Sequence, residues 1–386
     1  MSYRYLIIGS GFSGCVLANQ LVKKLDCKID IWEERNHIGG NSHTERDVET
    51  GVMVHQYGPH IFNTDKKETW EFVNSFGDFI PYIHRVKARS GNSVYPLPVN
   101  LFTINQFFNK TFSPAEAKDF LNTLADKKII DPRNFEEQAL RFIGKELYDA
   151  FFYGYTKKQW GCEPSQLPAS ILKRLPVRFD YNDNYYNNRF SGIPKDGYSA
   201  IIKKMIDFSS ITISFNKKFV PGMELNGYDH VFYTGPIDAY FKYKHGRLGY
   251  RTVTFEKNYA EGDFQGVAQM NYCDENIPYT RIVEHKHFAY WEQHDKTIYF
   301  KEYSKETSEN DEPYYPKRLE KDKALLKLYR AEAELQTGIS FLGRLATYRY
   351  MDMHHVIDEA IQFAKNFAEN TKAAKSLPFF PNTETY

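Results

Sequence analysis

Four cysteines in 386 residues (Cys15, Cys27, Cys162 and Cys273), none spaced as C-x-x-C, are too few and too scattered for a disulfide framework or a zinc ribbon. They are expected as free thiols in a reducing cytoplasm. Charge of one sign is missing as well. Fifty Lys and Arg face 49 Asp and Glu, so the net charge is +1 and no overall field draws the chain to nucleic acid or an anionic membrane. No apolar run approaches the ~20 residues of a spanning helix. The N-terminus enters a strand within four residues, which leaves no room for a signal peptide. H-E-x-x-H, G-x-S-x-G and the Walker A pattern are absent, and no acid/base carboxylate pair stands out. His354 and His355 are neighbours on an expected helix, face different directions and make a poor metal pair; no metal is expected. These absences suit a reaction whose chemistry is carried by a cofactor.

What the chain has in excess is aromatic residues: 29 Tyr and 30 Phe bring the aromatic share to 16%. Part of this is core. So many tyrosines also suit a polar-aromatic cleft that stacks on rings and hydrogen-bonds to sugars.

The most informative stretch is Tyr5-Leu6-Ile7-Ile8-Gly9-Ser10-Gly11-Phe12-Ser13-Gly14. An apolar strand runs into G-x-G-x-x-G, and a helical pattern follows through Val16, Leu17 and Leu21. Gly9 permits the tight turn, Gly11 lets a pyrophosphate approach the backbone, and Gly14 lets the helix pack close to the strand. The helix start offers free N–H groups and a positive dipole end to phosphates. A second apolar stretch, residues 29–32, ends at Glu33, nineteen residues after Gly14, where a ribose diol needs an acceptor. Gly39-Gly40-Asn41 follows as a second loop that can approach a cofactor closely. Dinucleotide binding is therefore expected.

Beyond the opening βαβ, residues 79–98 read as a hairpin turning at Ser90-Gly91-Asn92. Residues 103–173 read as a helical insertion, with Ser113-Pro114-Ala115-Glu116 as a capped start. Strands are expected near 176–180, 211–215, 230–234 and 249–255, at 267–271, 280–285 and 297–303, and at 339–342. Helices are expected at 197–207, 319–335 and 353–370. The fold class is α/β, a discontinuous Rossmann-like domain with a helical insertion and an antiparallel sheet subdomain. Its expected parts are 1–80 with 197–250 and 339–372 for the cofactor, and 100–173 as helical domain with a mobile lid at 166–178. A mixed sheet subdomain takes 81–99, 176–196 and 251–338, and 376–386 is a flexible tail.

Other constellations are less specific taken singly. His60, in Tyr57-Gly58-Pro59-His60-Ile61-Phe62, could sit over a flavin ring or be an ordinary core histidine. Phe151, Phe152, Tyr153, Tyr155, Thr156 and Trp160 form an aromatic cluster with hydroxyls interleaved, suited either to core or to a nucleobase platform. Arg174, Arg178 and Arg281 are candidates to bind a diphosphate and neutralise charge on a leaving phosphate, though most arginines are solvated surface charges.

Together these segments resemble the UDP-galactopyranose mutase family over essentially the whole chain to about residue 370. The resemblance is carried by Gly9–Gly14, Arg35–Asn41, Tyr57–Phe62, Leu97–Asn100, Gly154–Gly161 and Leu172–Phe179. It continues through Tyr233–Pro236, Pro278–Arg281, Glu312–Pro316, Gly343–Leu345 and Tyr350–Met353. It implies a cytoplasmic, commonly dimeric isomerase of cell-surface polysaccharide synthesis that interconverts UDP-galactopyranose and UDP-galactofuranose. The cofactor is FAD, active when reduced, with N5 as nucleophile at the anomeric carbon and no net redox change. The implied cofactor residues are Gly9, Gly11, Phe12, Ser13, Gly14, Glu33, Glu34, Arg35, Gly39, Gly40, Asn41, His60, Ile61, Gly343, Arg344, Tyr350, Asp352 and Met353. Arg174 and Arg281 clamp the diphosphate and, with His60, form the catalytic set. Tyr185, Tyr315 and Tyr350 hydrogen-bond to the diphosphate. Phe151, Phe152, Tyr155, Thr156 and Trp160 hold the uridine end, with Asn271 nearby. Asn63, where the family pattern has His, and His84, where several relatives have Asn, lie near the sugar. They leave open a related sugar, dTDP-fucopyranose or UDP-N-acetylgalactosamine. An amine-oxidase-type flavin oxidoreductase and a non-enzymatic nucleotide-sugar binder are the rival classes.

Overall fold

The computed structural model describes residues 2–169, 171 and 177–381. Five parallel strands form the cofactor sheet, in the order Ile211–Ser214, Cys27–Trp32, Tyr3–Ile8, His230–Tyr233 and Ile339–Phe341. The strands come from three distant parts of the chain, as expected of a discontinuous Rossmann-like domain. The helix Phe12–Val22 is buried on almost every side because it lies between this sheet and the last helix, Met353–Lys372. Phe232 packs against Tyr5 at 5.8 Å and Phe367 at 4.8 Å, edge to face in both cases. Each such pair is worth about 0.5–1.5 kcal/mol beyond the apolar area it buries.

The opposite face of the sheet is covered by the helix Glu320–Ala333, whose Tyr329 and Ala333 join Leu6, Ile8 and Phe341 in one core. The sequence reading assigned this helix to the sheet subdomain. Its apolar side matches the open face of the parallel sheet instead.

A seven-stranded sheet stands beside the cofactor domain. Its order is Tyr315–Pro316, Tyr250–Glu261, Lys296–Glu306, Arg281–Glu284, Gln269–Tyr272, Val86–Ser90 and Ser93–Leu97. It is antiparallel except where Gln269–Tyr272 runs parallel to Val86–Ser90. The last two strands are the expected hairpin, turning at Gly91 with φ of 58°. The helical insertion begins where Asn100 caps Leu101–Phe108 and Ser113 caps Pro114–Leu124 through a full capping box. Gly144, at φ 76°, interrupts Phe135–Tyr148, a π turn follows at Asp149–Tyr153, and the helix Gly154–Trp160 completes the insertion.

Two local expectations are corrected. No strand occupies 177–180; the strand there is Phe190–Pro194, which pairs with Phe62–Thr64 and Phe79–Pro81 in a separate three-stranded sheet. The start of the tail is docked. The Phe341 N–H donates to the Phe379 carbonyl at 2.8 Å, the Ser340 hydroxyl to the Pro378 carbonyl at 2.6 Å, and Phe380 is buried against Phe341. Phe379 and Phe380 supply the apolar surface that the polar residues of the tail lack. Among the described residues, no helix is long and apolar enough to cross a membrane.

Candidate functional site

The cofactor end of the site is built by glycines that have no room for a side chain. A Cβ on Gly9, at φ 104°, would lie 2.2 Å from Thr234 Oγ1, and one on Gly14 would lie 2.1 Å from the Gly9 carbonyl oxygen. Gly11 differs: its Cβ would meet nothing within 4 Å. It is the cap of the helix Phe12–Val22, so no side chain takes the first-turn N–H groups at the positive dipole end. Phe12, Ser13 and Gly14 are the buried first turn.

Glu33 follows the second strand and is 5% exposed. Its Oε2 accepts from the Ser10 N–H at 2.9 Å and the Ser10 hydroxyl at 2.8 Å, and its Oε1 from the Arg35 N–H at 2.9 Å. A carboxylate thus stands fixed beside the glycine turn, as a ribose acceptor must. Arg35 reaches Asn41 Oδ1 at 3.0 Å and Glu312 Oε1 at 3.1 Å and lies over the Tyr57 ring at 4.3 Å. Its buried Nη1 has no hydrogen-bond partner. Gly39 donates to the Ser10 carbonyl at 3.0 Å, and a Cβ on Gly40 would lie 3.2 Å from Gly11 Cα. Glu34 is exposed and faces Lys218 at 3.7 Å, away from this cluster of contacts.

The far end of the chain returns to the same place. A Cβ on Gly343, at φ 84°, would lie 2.3 Å from Ser13 Oγ. Arg344 donates to the Tyr314 carbonyl at 2.9 Å. Asp352 begins the last helix as an exposed cap, and Met353 packs on the first core. His354 and His355 bend together, with rings 4.0 Å apart, and Asp352 joins them so that one donor atom of each lies within 4.8 Å of the others. The expectation that these rings face apart is corrected: in a first helical turn, side chains of adjacent residues are free to converge.

The second half of the site centres on Arg281. Its Nε donates to Glu302 Oε2 at 2.5 Å, across the register pair Arg281↔Glu302 of adjacent antiparallel strands. Glu302 is 1% exposed, and its Oε1 has no hydrogen-bond partner among the described residues. Burial works against the guanidinium charge, but Glu302, Tyr155 and Tyr315 more than restore it, so the Arg281 pKa ends above its ordinary value. Using Nε for the tether leaves the two Nη groups for an anion.

Gly58, at φ 94°, brings a turn against this pair: its Cβ would lie 3.7 Å from both Arg281 Nη2 and Glu302 Oε1. The turn presents His60, which lies outside the strand, and Ile61, which is buried. The His60 Nδ1 lies 2.8 Å from the Gly58 carbonyl and therefore carries the proton, leaving Nε2 with a lone pair. The His60 N–H donates to His55 Nδ1 at 3.0 Å. Burial, with Arg344 and Arg281 adding repulsion, lowers the His60 pKa to about 4, so the ring is neutral near pH 7.

Tyr155 belongs to the same neighbourhood. Its hydroxyl pKa is raised by burial, and it interacts with the charges of Arg281, Tyr185, Glu302 and Tyr315. Tyr315 and Tyr350 stack at 5.8 Å. Tyr185 sits edge-on to the His84 ring at 5.5 Å. Asn271 is the register partner of Arg281 and accepts from Gln269 Nε2 at 2.9 Å, and Gln269 Oε1 lies 3.3 Å from His84 Nε2. Burial lowers the His84 pKa to about 4.

Not every candidate reaches the cleft. Phe151 is buried between Tyr95 and Phe107 and belongs to the core of the helical insertion. It lies within the π turn Asp149–Tyr153. Phe152 is buried near Phe135 in that same core, Trp160 packs against the core's edge, and Thr156 is buried. Arg178 is a loop clamp: its Nη1 donates to the carbonyls of Asn182 and Asn184, and its Nη2 to Asn187 Oδ1. Arg174 lies outside the described residues, as does most of 170–176 in the expected lid. Sequence reasoning missed Glu302, which carries no motif, and Lys158, which stands inside a quoted segment. The four cysteines are free.

Glycine turns at a helix start on a parallel sheet, with a buried Arg–Glu pair and a tyrosine cluster, define the class, a Rossmann-like α/β protein. The comparisons agree. A family profile described as UDP-galactopyranose mutase matches residues 150–350, and one described as NAD(P)-binding Rossmann-like domain matches residues 7–76. The chain is 52% identical to "Probable UDP-galactopyranose mutase" of Klebsiella pneumoniae, over 97% of each chain. It is 48% identical to the dTDP-fucopyranose mutase of Escherichia coli, over 96% of this chain and 99% of the relative. Among solved structures it resembles reduced UDP-galactopyranose mutase, with a TM-score of 0.75, 15% identity and coverage of 97% and 94%. It also resembles putrescine oxidase, with a TM-score of 0.55, 12% identity and coverage of 95% and 98%. The chain belongs to the UDP-galactopyranose mutase family and is a nucleotide-sugar mutase.

Proposed function

We propose that this mutase interconverts UDP-galactopyranose and UDP-galactofuranose with reduced FAD in the glycine cradle. The observation that carries the reading is the Arg281 guanidinium, tethered through Nε to Glu302 and set against the His60 turn, with its remaining N–H groups free for a diphosphate. The cradle suits FAD: Gly11 is open above an uncapped helix start, Glu33 is fixed for a ribose, and Gly343 closes on Ser13. When bound and reduced, FAD supplies N5 as nucleophile for the anomeric carbon, with no net redox change. The chain supplies the rest. Arg281 stabilises the charge that develops on the departing UDP. Tyr185, Tyr315 and Tyr350 orient the diphosphate, and Phe152, Tyr155, Thr156 and Trp160, with Asn271 nearby, meet the nucleoside end. Arg174 is the second guanidinium of the proposal. Neutral His60 keeps an acceptor, Nε2, beside the sugar without adding a positive charge.

A related sugar is the second reading. The likeness to a dTDP-fucopyranose mutase supports it, together with Asn63 and His84. The Asn63 Nδ2 donates to the Ile61 carbonyl at 3.1 Å, and the buried His84 Nδ1 has no hydrogen-bond partner. Anaerobic turnover of UDP-galactofuranose, with and without dithionite, decides between them. Product only with dithionite establishes the mutase and its sugar. No product in either state, with flavin bound and reducible, moves the assignment to dTDP-fucose or UDP-N-acetylgalactosamine. Flavin reduction by an amine would instead support the oxidoreductase class. The proposal places the enzyme in the cytoplasm as a homodimer, which sedimentation checks.

Replacing Glu33 by Ala is expected to weaken flavin retention roughly 10- to 100-fold, the worth of one charge-assisted hydrogen bond plus a loosened Ser10 turn. Flavin absorbance per protein after desalting measures this, and an unchanged ratio removes the ribose contact.

A further inference from the structure

Lys158 makes an unusual set of contacts. Its ammonium donates to the main-chain carbonyls of Tyr272 and Asp274, each at 2.8 Å, Ile277 at 3.0 Å and Tyr279 at 3.1 Å. An ammonium has three protons. Four carbonyl dipoles around one nitrogen are therefore held by its charge as well as by hydrogen bonds, in the manner of a potassium ion stripped of water. The Tyr272 carbonyl ends the strand Gln269–Tyr272, and the other three belong to the connection from it to Arg281–Glu284. The first of these strands carries Asn271, and the second begins at Arg281. Lys158 itself lies on the helix Gly154–Trp160, within one turn of Tyr155 and Thr156.

The same helix is pressed on that turn at its other end, where a Cβ on Gly154 would lie 2.3 Å from the Cys273 carbonyl oxygen. Its C-terminus is held by Arg251, which donates to the Gln159 carbonyl at 3.0 Å and the Lys158 carbonyl at 3.2 Å. Arg251 therefore ties the helix to the neighbouring strand Tyr250–Glu261. Lys158 alone of the two ties it to the Asn271–Arg281 hairpin.

We propose that Lys158 is a positioning residue: by gathering the 272–279 turn around its charge, it fixes the distance between the helix that meets the nucleoside and the strand that carries Arg281. This rests on the nucleotide-sugar reading of the cleft. A UDP group has one length, and both of its ends must be met at once. Loosening the cage would cost ground-state binding along the nucleotide while leaving the chemistry at the anomeric carbon and the flavin cradle intact.

The test is Lys158→Ala in the flavin-loaded, dithionite-reduced enzyme, assayed with UDP-galactofuranose. The expected result is a KM raised roughly tenfold with kcat within about twofold, the pattern of lost uniform binding, and unchanged flavin content. The emptied cage should take a monovalent cation, so potassium chloride or methylammonium chloride should restore KM while lithium chloride does not. A wild-type KM overturns the proposal, as does a defect shared equally by kcat and flavin content that no cation relieves. Lys158→Met fills the cage without charge and should show the raised KM without rescue; a wild-type KM there also overturns it. Failure of both variants to fold would assign Lys158 to folding and overturn the positioning role. Absence of turnover in the wild-type enzyme would count against the nucleotide-sugar assignment, whereas wild-type turnover with unchanged KM in the variants defeats this inference alone.

Discussion

Arg281→Lys is expected to lower kcat/KM for the nucleotide sugar by about 10³-fold while the protein keeps its fold and flavin. The magnitude is that of removing one preorganised donor from developing charge, about 2.7–4 kcal/mol. Lysine retains a cation that can pair with Glu302 but loses the fork. Its donors all sit on one nitrogen, so holding that nitrogen at the carboxylate takes away the separate Nη groups that reach the diphosphate. Arg281→Ala is expected to do more damage of a different kind. It strands a carboxylate that is 1% exposed and already has one oxygen without a partner. Breaking a buried pair in this way costs about 3–5 kcal/mol of stability. Arg281→Ala combined with Glu302→Ala should therefore regain much of the lost melting temperature and none of the lost turnover. Steady-state rates under dithionite and thermal melts of the three variants check both statements. Near-normal rates in Arg281→Lys would remove the diphosphate from this guanidinium.

How much of this was legible beforehand depended on how local the determinant was. The glycine turn, the capping box at Ser113 and the spacing to Glu33 are written in short windows, and each was read at the right residue. Parallel strands at 230–233 and 339–341 were also legible, because short apolar runs bounded by turns announce themselves even when their partners are distant. What could not be read was which distant residues face each other. Glu302 sits in a run of alternating charge, Lys301-Glu302-Tyr303, and only strand register sets it against Arg281. Phe151 and Tyr155 are one helical turn apart in an aromatic stretch, yet one is core and the other lies by the Arg281 charge. Phe151 lies within a π turn and Tyr155 on the α-helix after it, and no composition signal marks that change. The strand Phe190–Pro194 was missed because Ser191, Gly192 and Pro194 interrupt its apolar run, so it carries little strand signal.

Histidine burial carries the second large expectation. His55, His84, His230 and His285 are each 3% exposed or less. Burial lowers all four pKa values from the ordinary 6.5: His84 and His230 to about 4, His285 to about 3, and His55 well below its ordinary value. The unfolded chain binds a proton at each of these residues once the pH drops below about 6.5, while the folded chain does not until roughly pH 4. Between those limits the unfolded state holds more protons, so stability falls as pH falls. Each histidine contributes a slope of up to about 1.4 kcal/mol per pH unit. From pH 6.5 to 5.0 the four together remove about 6 kcal/mol, a large share of a typical domain's stability. The protein is therefore expected to be markedly less stable at pH 5 than at pH 7.5, before its carboxylates protonate. Urea midpoints at pH 7.5, 6.0 and 5.0 measure this, and equal midpoints would show that these rings are not held neutral. His230→Gln separates the effect from the active site. Its ring bonds to Ser340 at 2.8 Å and packs against Phe232 and Phe367, none of them a candidate site residue. The substitution should shift the acid midpoint downward in pH while turnover at pH 7.5 stays as it was.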